Sequence, residues 1–193
     1  MSISVDGFIA GPNVRPVNGL GDGGSRLHEW VLTGGEPGVG GQPSLVSTGA
    51  NGQVAAELMA TRAVVAGRGT FEPAGGWGGD HHDGVPVFVL SHHEPGIDIA
   101  SWPLVTYTDD IEVAMRRARA AAGDADVLVH GAVTAQLALA AGVLDELELH
   151  VVPVLLGRGR RLFDLPGETV ELERTRVLPG EGGVNHLHYR VLR

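Results

Sequence analysis

The sequence contains neither cysteine nor lysine, and each absence excludes a class of chemistry. Without cysteine, the protein has no disulfide, no thiolate nucleophile and no zinc site with sulfur ligands. All 14 basic residues are arginine, which also excludes a P-loop lysine, a Schiff base and a serine–lysine dyad. A phosphorylated ligand would have to be bound by arginine side chains and the N-termini of helices.

Long hydrophobic runs are also missing. No apolar stretch approaches the roughly 20 residues that a membrane-spanning helix needs, and the N-terminus lacks the basic and then apolar segments of a secretory signal. The net charge of −9 gives no general attraction to nucleic acid or to an anionic membrane. We therefore expect a cytoplasmic protein whose partner is a small-molecule substrate, not nucleic acid or a membrane.

The remaining composition is that of an ordinary globular protein. Hydrophobic residues make up 43% of the 193-residue chain and charged residues 19%, which is enough apolar material to build a core. We expect a single domain over residues 1–193. The bias toward arginine, alanine, valine and glycine favours a bacterial genome rich in G and C.

Strand-like and helix-like patterns alternate along most of the chain. The stretch 127–156 reads as a strand at 127–129, a helix, and a second strand-like run at 147–156, which is a βαβ pattern. Segments 170–178 and 184–192 alternate across a glycine-rich turn and predict an antiparallel hairpin. Together the patterns predict an α/β fold with a mostly parallel sheet and antiparallel strands at one edge.

Several element boundaries follow from single residues. Residues 2–10 alternate apolar and polar side chains and predict one strand that feeds a loop. Asn51 is the predicted N-cap of a helix, and Asp109 or Asp110 caps a later helix that Gly123 ends.

Small or polar residues follow three predicted strands at the points where those strands end. Because ligands of open parallel sheets bind beyond the carboxyl ends of the strands, we expect these residues at one binding edge. The alternative is that they form ordinary turns between strands and helices. The candidate residues are Gly67, Arg68, Thr70, Ser91, His92, Gly131, Ala132, Val133 and Thr134.

Two of these residues have a specific use at such an edge. Gly131 lets the backbone approach a pyrophosphate, and the helix after it offers unpaired N–H groups. Arg68 presents a planar fork that suits a phosphate such as the 2′-phosphate of NADPH, although it could equally be a surface charge.

The histidines invite a metal interpretation that their spacing does not support. The groups at 81–82, 92–93 and 186/188 have no recognised spacing with a third ligand. We interpret them as solvated loop or strand residues and expect no metal site.

Four segments occur in an order that is typical of one family: SVDGFIA at 4–10, VAGRGTFE at 65–72, VFVLS at 87–91, and the long stretch 130–163. On these segments the chain resembles the dihydrofolate reductase-like superfamily. It is most similar to the C-terminal reductase domain of the bacterial riboflavin-pathway deaminase/reductase and to its stand-alone relatives. The resemblance covers nearly the whole chain, which makes it more specific than any single motif.

The resemblance implies a three-layer dihydrofolate reductase-like fold, a homodimer and an NADPH-dependent reductase in riboflavin biosynthesis. Hydride would pass to a C=N or C=O group of a pyrimidine, pteridine or ribosyl-derived substrate, as in a 5-amino-6-(5-phosphoribosylamino)uracil reductase. The binding-edge residues above would hold the cofactor, and its nicotinamide would lie near Ala10 and the segment Phe8-Ile9. Alternatives are a reductase of folate, a pterin or a small carbonyl compound, and a nucleotide-binding protein without turnover.

The substrate side has five candidates. Asp6 is the predicted acid, which would protonate the substrate, orient a water or hold a ribose hydroxyl; the alternative is a turn residue that satisfies backbone donors. Phe8 and Ile9 are expected beside the substrate. Trp30 and Trp77 are candidate walls for a planar ring, although a tryptophan at the position of Trp30 often belongs to the core.

Overall fold

The structure is a computed structural model that describes residues 1–16, 18–33, 44–45, 48–164 and 169–193. Its contacts divide the chain into two compact units. We name them the terminal unit (residues 1–14, 20–57 and 144–193) and the central unit (residues 15–19 and 58–143). No helix among the described residues has both the length and the apolar character needed to cross a membrane.

The described strands and α-helices follow one another along the chain as β1 (Ser2–Ser4), β2 (Phe8–Ala10), β3 (Leu32–Thr33), β4 (Ser44–Leu45), α1 (Gly49–Met59), β5 (Ala63–Gly67), α2 (Arg68–Phe71), β6 (Val87–Leu90), β7 (Val105–Thr108), α3 (Ile111–Ala122), β8 (Val127–His130), α4 (Ala132–Ala140), β9 (Glu146–Val152), β10 (Arg160–Arg161), β11 (Leu172–Pro179) and β12 (Asn185–Val191). Short 3₁₀ helices cover Gly24–His28, Gly75–Gly79 and Glu181–Gly183.

The central unit is built on a parallel sheet. Its strands lie in the order β7-β6-β5-β8, and each neighbouring pair is parallel. Helix α3 packs its Ala114, Met115 and Ala118 against β5 and β6 residues. As predicted, the Asp110 carboxylate caps α3 by accepting a hydrogen bond from the Val113 N–H at 2.9 Å, and the helix ends at Gly123.

The terminal unit is built on a mixed sheet in the order β1-β9-β12-β11. Strand β1 is parallel to β9, whereas β12 is antiparallel to both β9 and β11. The predicted C-terminal hairpin is confirmed as β11 and β12. With the parallel sheet of the central unit, these strands confirm the predicted α/β class.

The prediction of a single strand over residues 2–10 is wrong. The chain turns at Val5–Gly7, where the Gly7 N–H donates to the Ser4 carbonyl at 2.9 Å. Gly7 has a φ of +89°, a left-handed value that glycine adopts without steric cost. As a result, β1 joins the mixed sheet and β2 pairs with β10.

The N-cap prediction for Asn51 is also wrong. Helix α1 begins at Gly49, and the Glu181 carboxylate accepts hydrogen bonds from the N–H groups of Ala50 and Asn51 at 3.2 and 3.1 Å. The Asn51 side-chain amide instead donates to the carbonyls of Trp30 and Glu181 at 3.1 and 3.2 Å. A cap supplied from about 130 residues away leaves no local signal.

A buried polar network crosses the mixed sheet. The Nδ1 atoms of His150 and His186 are 3.0 Å apart, and His186 Nε2 lies 3.1 Å from Asn51 Oδ1. Because the Asn51 oxygen can only accept, His186 carries its proton on Nε2 and accepts at Nδ1 from His150. The Trp30 indole packs on both imidazoles and donates to Ser2 Oγ at 2.9 Å. The interpretation of His186 as a solvated residue is therefore wrong, since only 1% of it is exposed.

Candidate functional site

The ends of three parallel strands lie at one edge of the central unit's sheet. Strand β5 pairs with β6 and β8 in parallel, and the last paired residues are Gly67 with Leu90 and Ala66 with His130. Ser91 and Gly131 directly follow β6 and β8. The predicted cofactor residues of these strand ends are therefore neighbours in the folded chain.

Two glycines at this edge face threonine hydroxyls at close range. Gly131 has φ +100° and ψ 150°, a conformation that is nearly restricted to glycine, and a Cβ built on it would overlap Thr70 Oγ1. A Cβ on Gly67 would lie 2.9 Å from Thr134 Oγ1. At both glycines the bare backbone thus lets a threonine hydroxyl pack where a Cβ would collide with it.

The Thr134 hydroxyl has no hydrogen-bond partner among the described residues, although it is fully buried. An unpaired buried hydroxyl costs about 1–3 kcal/mol, and a functional partner is one of the few explanations for it. Thr134 lies in the first turn of α4, where helix N–H groups attract anions.

The first two residues of α4, Ala132 and Val133, differ in solvent exposure. Ala132 is buried, whereas the Val133 side chain is 62% exposed. Ala132 therefore packs inward and contributes its backbone, while Val133 offers an apolar surface.

Arg68 forms a long ion pair with Glu72, which follows it by one helical turn. Its Nη1 lies 3.5 Å from Glu72 Oε2, and the arginine side chain is 39% exposed. Glu72 is held by the Gly96 N–H at 2.7 Å and by the Tyr107 hydroxyl at 3.2 Å. Burial, reinforced by Glu72, raises the pKa of Tyr107. Arg68 can thus turn its remaining donors to an anion while Glu72 keeps other partners.

The segment after β6 forms a turn that is held by hydrogen bonds between Ser91 and His93. Ser91 Oγ donates to the His93 carbonyl at 2.8 Å and accepts from the His93 N–H at 3.0 Å. The His92 side chain is exposed. The Ser91 hydroxyl could donate to a ligand only if this turn opened, although it can still accept one hydrogen bond, so His92 is the freer of the two predicted contacts.

Trp77 lies in an aromatic cluster beside the end of β8. Its ring packs edge-to-face on Phe71 at 5.3 Å, on His81 at 4.6 Å and on His130 at 5.6 Å between centroids. His81 and His82 are joined by their Nδ1 atoms at 2.7 Å, and His82 is only 9% exposed. Their interpretation as solvated loop residues is therefore wrong.

In the terminal unit, Asp6 serves as an acceptor for backbone and side-chain donors. Its carboxylate accepts from Ser4 Oγ at 2.6 Å and from the N–H groups of Leu156 and Gly157 at 3.1 and 2.7 Å. The Ser4 hydrogen bond, with those from the backbone, lowers the pKa of Asp6. Asp6 is therefore ionised at neutral pH, which favours the positioning role over direct protonation.

The predicted substrate residues Phe8, Ile9 and Trp30, and the predicted cofactor residue Ala10, are buried in the terminal unit. Phe8, Ile9 and Ala10 are each 7% exposed or less. The Arg161 guanidinium covers the Phe8 ring at 4.5 Å from its centroid. Trp30 belongs to the core cluster and to the histidine network, which is the alternative that the sequence left open.

Sequence reasoning missed the hydrogen-bonded pair His81–His82, which contacts Trp77. Adjacent histidines in a loop give no hint of burial, because burial depends on the strands and loops packed around them. The glycines around Trp77 were the available signal, since they indicate a backbone that places one aromatic ring in an unusual conformation.

Comparison with known proteins identifies one family for this chain. The family model for the RibD C-terminal domain matches residues 1–184. No curated protein matches the sequence. A candidate riboflavin biosynthesis protein from Shewanella sp. PV-4 is 22% identical with a TM-score of 0.66, over 99% of this chain and 96% of that one.

Two further solved structures are more distant in sequence. A pyrimidine reductase-like protein from Corynebacterium diphtheriae is 14% identical with a TM-score of 0.54, over 74% of this chain and 82% of that one. RibD from Acinetobacter baumannii is 14% identical with a TM-score of 0.57, and this chain spans 56% of it. The structural matches confirm the predicted dihydrofolate reductase-like fold.

Proposed function

This chain belongs to the RibD C-terminal domain family, and from that premise we propose that it is an NADPH-dependent reductase of a pyrimidine bearing a ribosylamino group. Members of this family are reductases that generally use a nicotinamide cofactor. The name of one similar structure, a pyrimidine reductase-like protein, supports a substrate that contains a pyrimidine.

The observation that carries this proposal is the buried, unpaired hydroxyl of Thr134 at the start of α4. Beside it, the bare Gly67 backbone packs on this hydroxyl, where a Cβ would lie 2.9 Å from Oγ1. In this proposal Thr134 donates to a cofactor oxygen, the α4 N–H groups face the pyrophosphate, and the bare Gly131 backbone allows close approach.

The preference for NADPH rests on Arg68. Its guanidinium is partly exposed, and its only ion pair within the described chain is the long one with Glu72. A 2′-phosphate offers a dianion that a planar guanidinium binds through two hydrogen bonds. NADH lacks this group, so weaker binding of NADH than of NADPH supports the assignment and equal binding contradicts it.

When bound, the nicotinamide supplies a hydride to the electrophilic carbon of the substrate's C=N or C=O group. The heteroatom that receives the electron pair must then take a proton. Asp6 is ionised and held by Ser4 and the 156–157 backbone, so we propose that it orients a proton-donating water rather than giving up its own proton.

The test of the cofactor site is a Thr134→Val variant, which keeps the shape of the side chain and removes the hydroxyl. We expect the Kd for NADPH to rise about tenfold, because one hydrogen bond to a phosphate or ribose is lost. The free energy of unfolding should stay constant or rise by up to about 1 kcal/mol, since the hydroxyl is unpaired in the free protein. Fluorescence titration and urea unfolding measure the two quantities.

The matched control is Thr175→Val, which removes an exposed hydroxyl that donates to the His188 carbonyl in the terminal unit. It should leave the Kd for NADPH unchanged. An unchanged Kd in Thr134→Val would remove Thr134 from the cofactor site. If the wild-type protein does not bind NADPH at sub-millimolar concentration, the reductase assignment itself is wrong.

Replacement of Asp6 tests the substrate side. Asp6→Asn keeps the size of the side chain but weakens its hydrogen bonds with Ser4 and with the backbone at 156–157. We expect a lower melting temperature and a kcat reduced at least about tenfold, because a water positioned for proton transfer loses its orientation. A full kcat in a variant with the lower melting temperature would assign Asp6 a purely structural role.

The homodimer implied by the family resemblance remains a prediction. Sedimentation equilibrium of the purified protein measures it directly, with a mass of twice 20.1 kDa expected. A panel of pyrimidines, pterins and small carbonyl compounds then separates a pyrimidine reductase from its alternatives, and NADPH binding without oxidation by any of them indicates a nucleotide-binding protein.

A further inference from the structure

The proton positions on His81 and His82, beside Trp77, follow from the hydrogen-bond partners of the two rings. His82 Nε2 lies 3.0 Å from the Thr61 carbonyl oxygen, which can only accept, so Nε2 carries a proton. The Thr61 hydroxyl lies 3.3 Å from the same nitrogen and gives its own proton to the Leu58 carbonyl at 2.9 Å, so that it too accepts from His82. A neutral His82 therefore has a lone pair on Nδ1.

This arrangement sets the tautomer of His81. Its Nδ1 lies 2.7 Å from the His82 Nδ1 and must donate to that lone pair. Burial lowers the pKa of His81 to about 4, so the imidazole is neutral at physiological pH. The Nε2 of His81 then carries a lone pair, and it forms no hydrogen bond with any residue that the structure describes.

The neighbouring Trp77 is held in an unusual backbone conformation. Its φ is +50°, between Gly76 at +59° and Gly78 at +66°. A left-handed conformation costs a bulky residue about 1–2 kcal/mol, and such strain is concentrated at ligand sites. Here it places the indole edge-to-face with the His81 ring, at 85° between planes.

We propose that His81 determines substrate specificity by accepting, at Nε2, a hydrogen bond from an N–H or O–H group of a flat heterocycle that packs on Trp77. His82 is the positioning residue that fixes the His81 tautomer through Thr61. The inference rests on the proposed function, because it takes the reductase substrate to be the heterocycle.

The first test is ¹⁵N NMR of the histidine-labelled protein, with His81 signals assigned by their loss in His81→Phe. We expect the free protein to show the tautomer with a proton on Nδ1. Titration with 5-amino-6-(5-phosphoribosylamino)uracil should move the unprotonated Nε2 signal upfield as it accepts a hydrogen bond. A proton on Nε2 in the free protein, or an unmoved signal at saturation with and without NADPH, would overturn the proposal.

The second test is kinetic. His81→Phe keeps an aromatic ring against Trp77 but removes the acceptor, so the KM for this uracil should rise about ten- to a hundredfold with kcat changed less. His82→Phe should release the tautomer and raise KM by a smaller factor, whereas His93→Phe, at an exposed position, should leave KM unchanged. An unchanged KM in His81→Phe contradicts the inference.

The two tests separate this inference from the proposed function. If the protein does not bind or oxidise NADPH, the reductase assignment fails, but the uracil titration still decides whether His81 Nε2 accepts from a ring donor. If NADPH is oxidised by the uracil and the His81 signal and KM do not change, the reductase assignment stands and the role of His81 is wrong.

Discussion

A Gly131→Ala variant is expected to lose both stability and affinity for NADPH. The φ of +100° with ψ 150° is a conformation that alanine adopts only at a cost of about 1–3 kcal/mol. The added Cβ would also overlap Thr70 Oγ1, which forces α2 or α4 to shift. We expect the free energy of unfolding to fall by about 2–4 kcal/mol and the Kd for NADPH to rise at least tenfold.

Two further variants separate the cost of the left-handed backbone from the cost of the collision between the new Cβ and Thr70. Gly142→Ala introduces a Cβ at φ +66° with no atom within 4 Å, so it should cost only about 1 kcal/mol and leave the Kd for NADPH unchanged. Adding Thr70→Ala to Gly131→Ala removes the collision and should recover part of the stability. If Gly131→Ala is as mild as Gly142→Ala in both measurements, the close approach at this turn has no role in cofactor binding.

The meeting of three strand ends at one sheet edge was predictable because its signals are local. Apolar runs that end in Gly67, Ser91 and Gly131 predict strands, and the rule that parallel strands share a carboxyl edge brings those ends together without knowledge of the sheet order. The Asp110 cap of α3 is equally local, because the carboxylate and the Val113 N–H it accepts from are three residues apart.

Two of the failed predictions concern partners that are distant in sequence. Asn51 has the chemistry of an N-cap, yet the cap is supplied by Glu181 and the Asn51 side chain enters the histidine network. The same distance hides the state of the histidines. His150 and His186 meet only because β9 and β12 pair in one register, which no local pattern encodes.

The burial of these histidines leads to the second large effect, a loss of stability in mild acid. Burial lowers the pKa of His28 from 6.5 to about 4 and displaces the pKa of His150 still further downward. The unfolded chain therefore binds protons more readily than the folded protein below pH 6.5. The stability due to neutral imidazoles is complete above that pH and is lost progressively as the pH falls.

The expected loss is about 2 kcal/mol per histidine between pH 7.5 and pH 5. His150 is only 2% exposed, so solvent does not reduce its contribution much, and with His28 the loss reaches about 4 kcal/mol. That is a large part of the roughly 5–15 kcal/mol that stabilises a typical domain. The lowered carboxylate pKa values of Glu57 and Glu181 act only below their unfolded value of 4.5. The interval from pH 6.5 to pH 5 thus reports on imidazoles and on the N-terminal amine of Met1, whose pKa burial lowers to about 6.

Urea unfolding at pH 7.5 and pH 5 measures this loss, and His150→Gln assigns it. Glutamine is neutral at both pH values and still donates a hydrogen bond toward His186, so the variant should be less stable at pH 7.5 but lose about 2 kcal/mol less on acidification. His93→Gln, which removes an exposed histidine, should reproduce the wild-type difference. If His150→Gln also reproduces it, the His150–His186 pair accepts a proton without breaking its hydrogen bond, and the acid sensitivity arises at other groups, such as His28, His81 and the N-terminal amine.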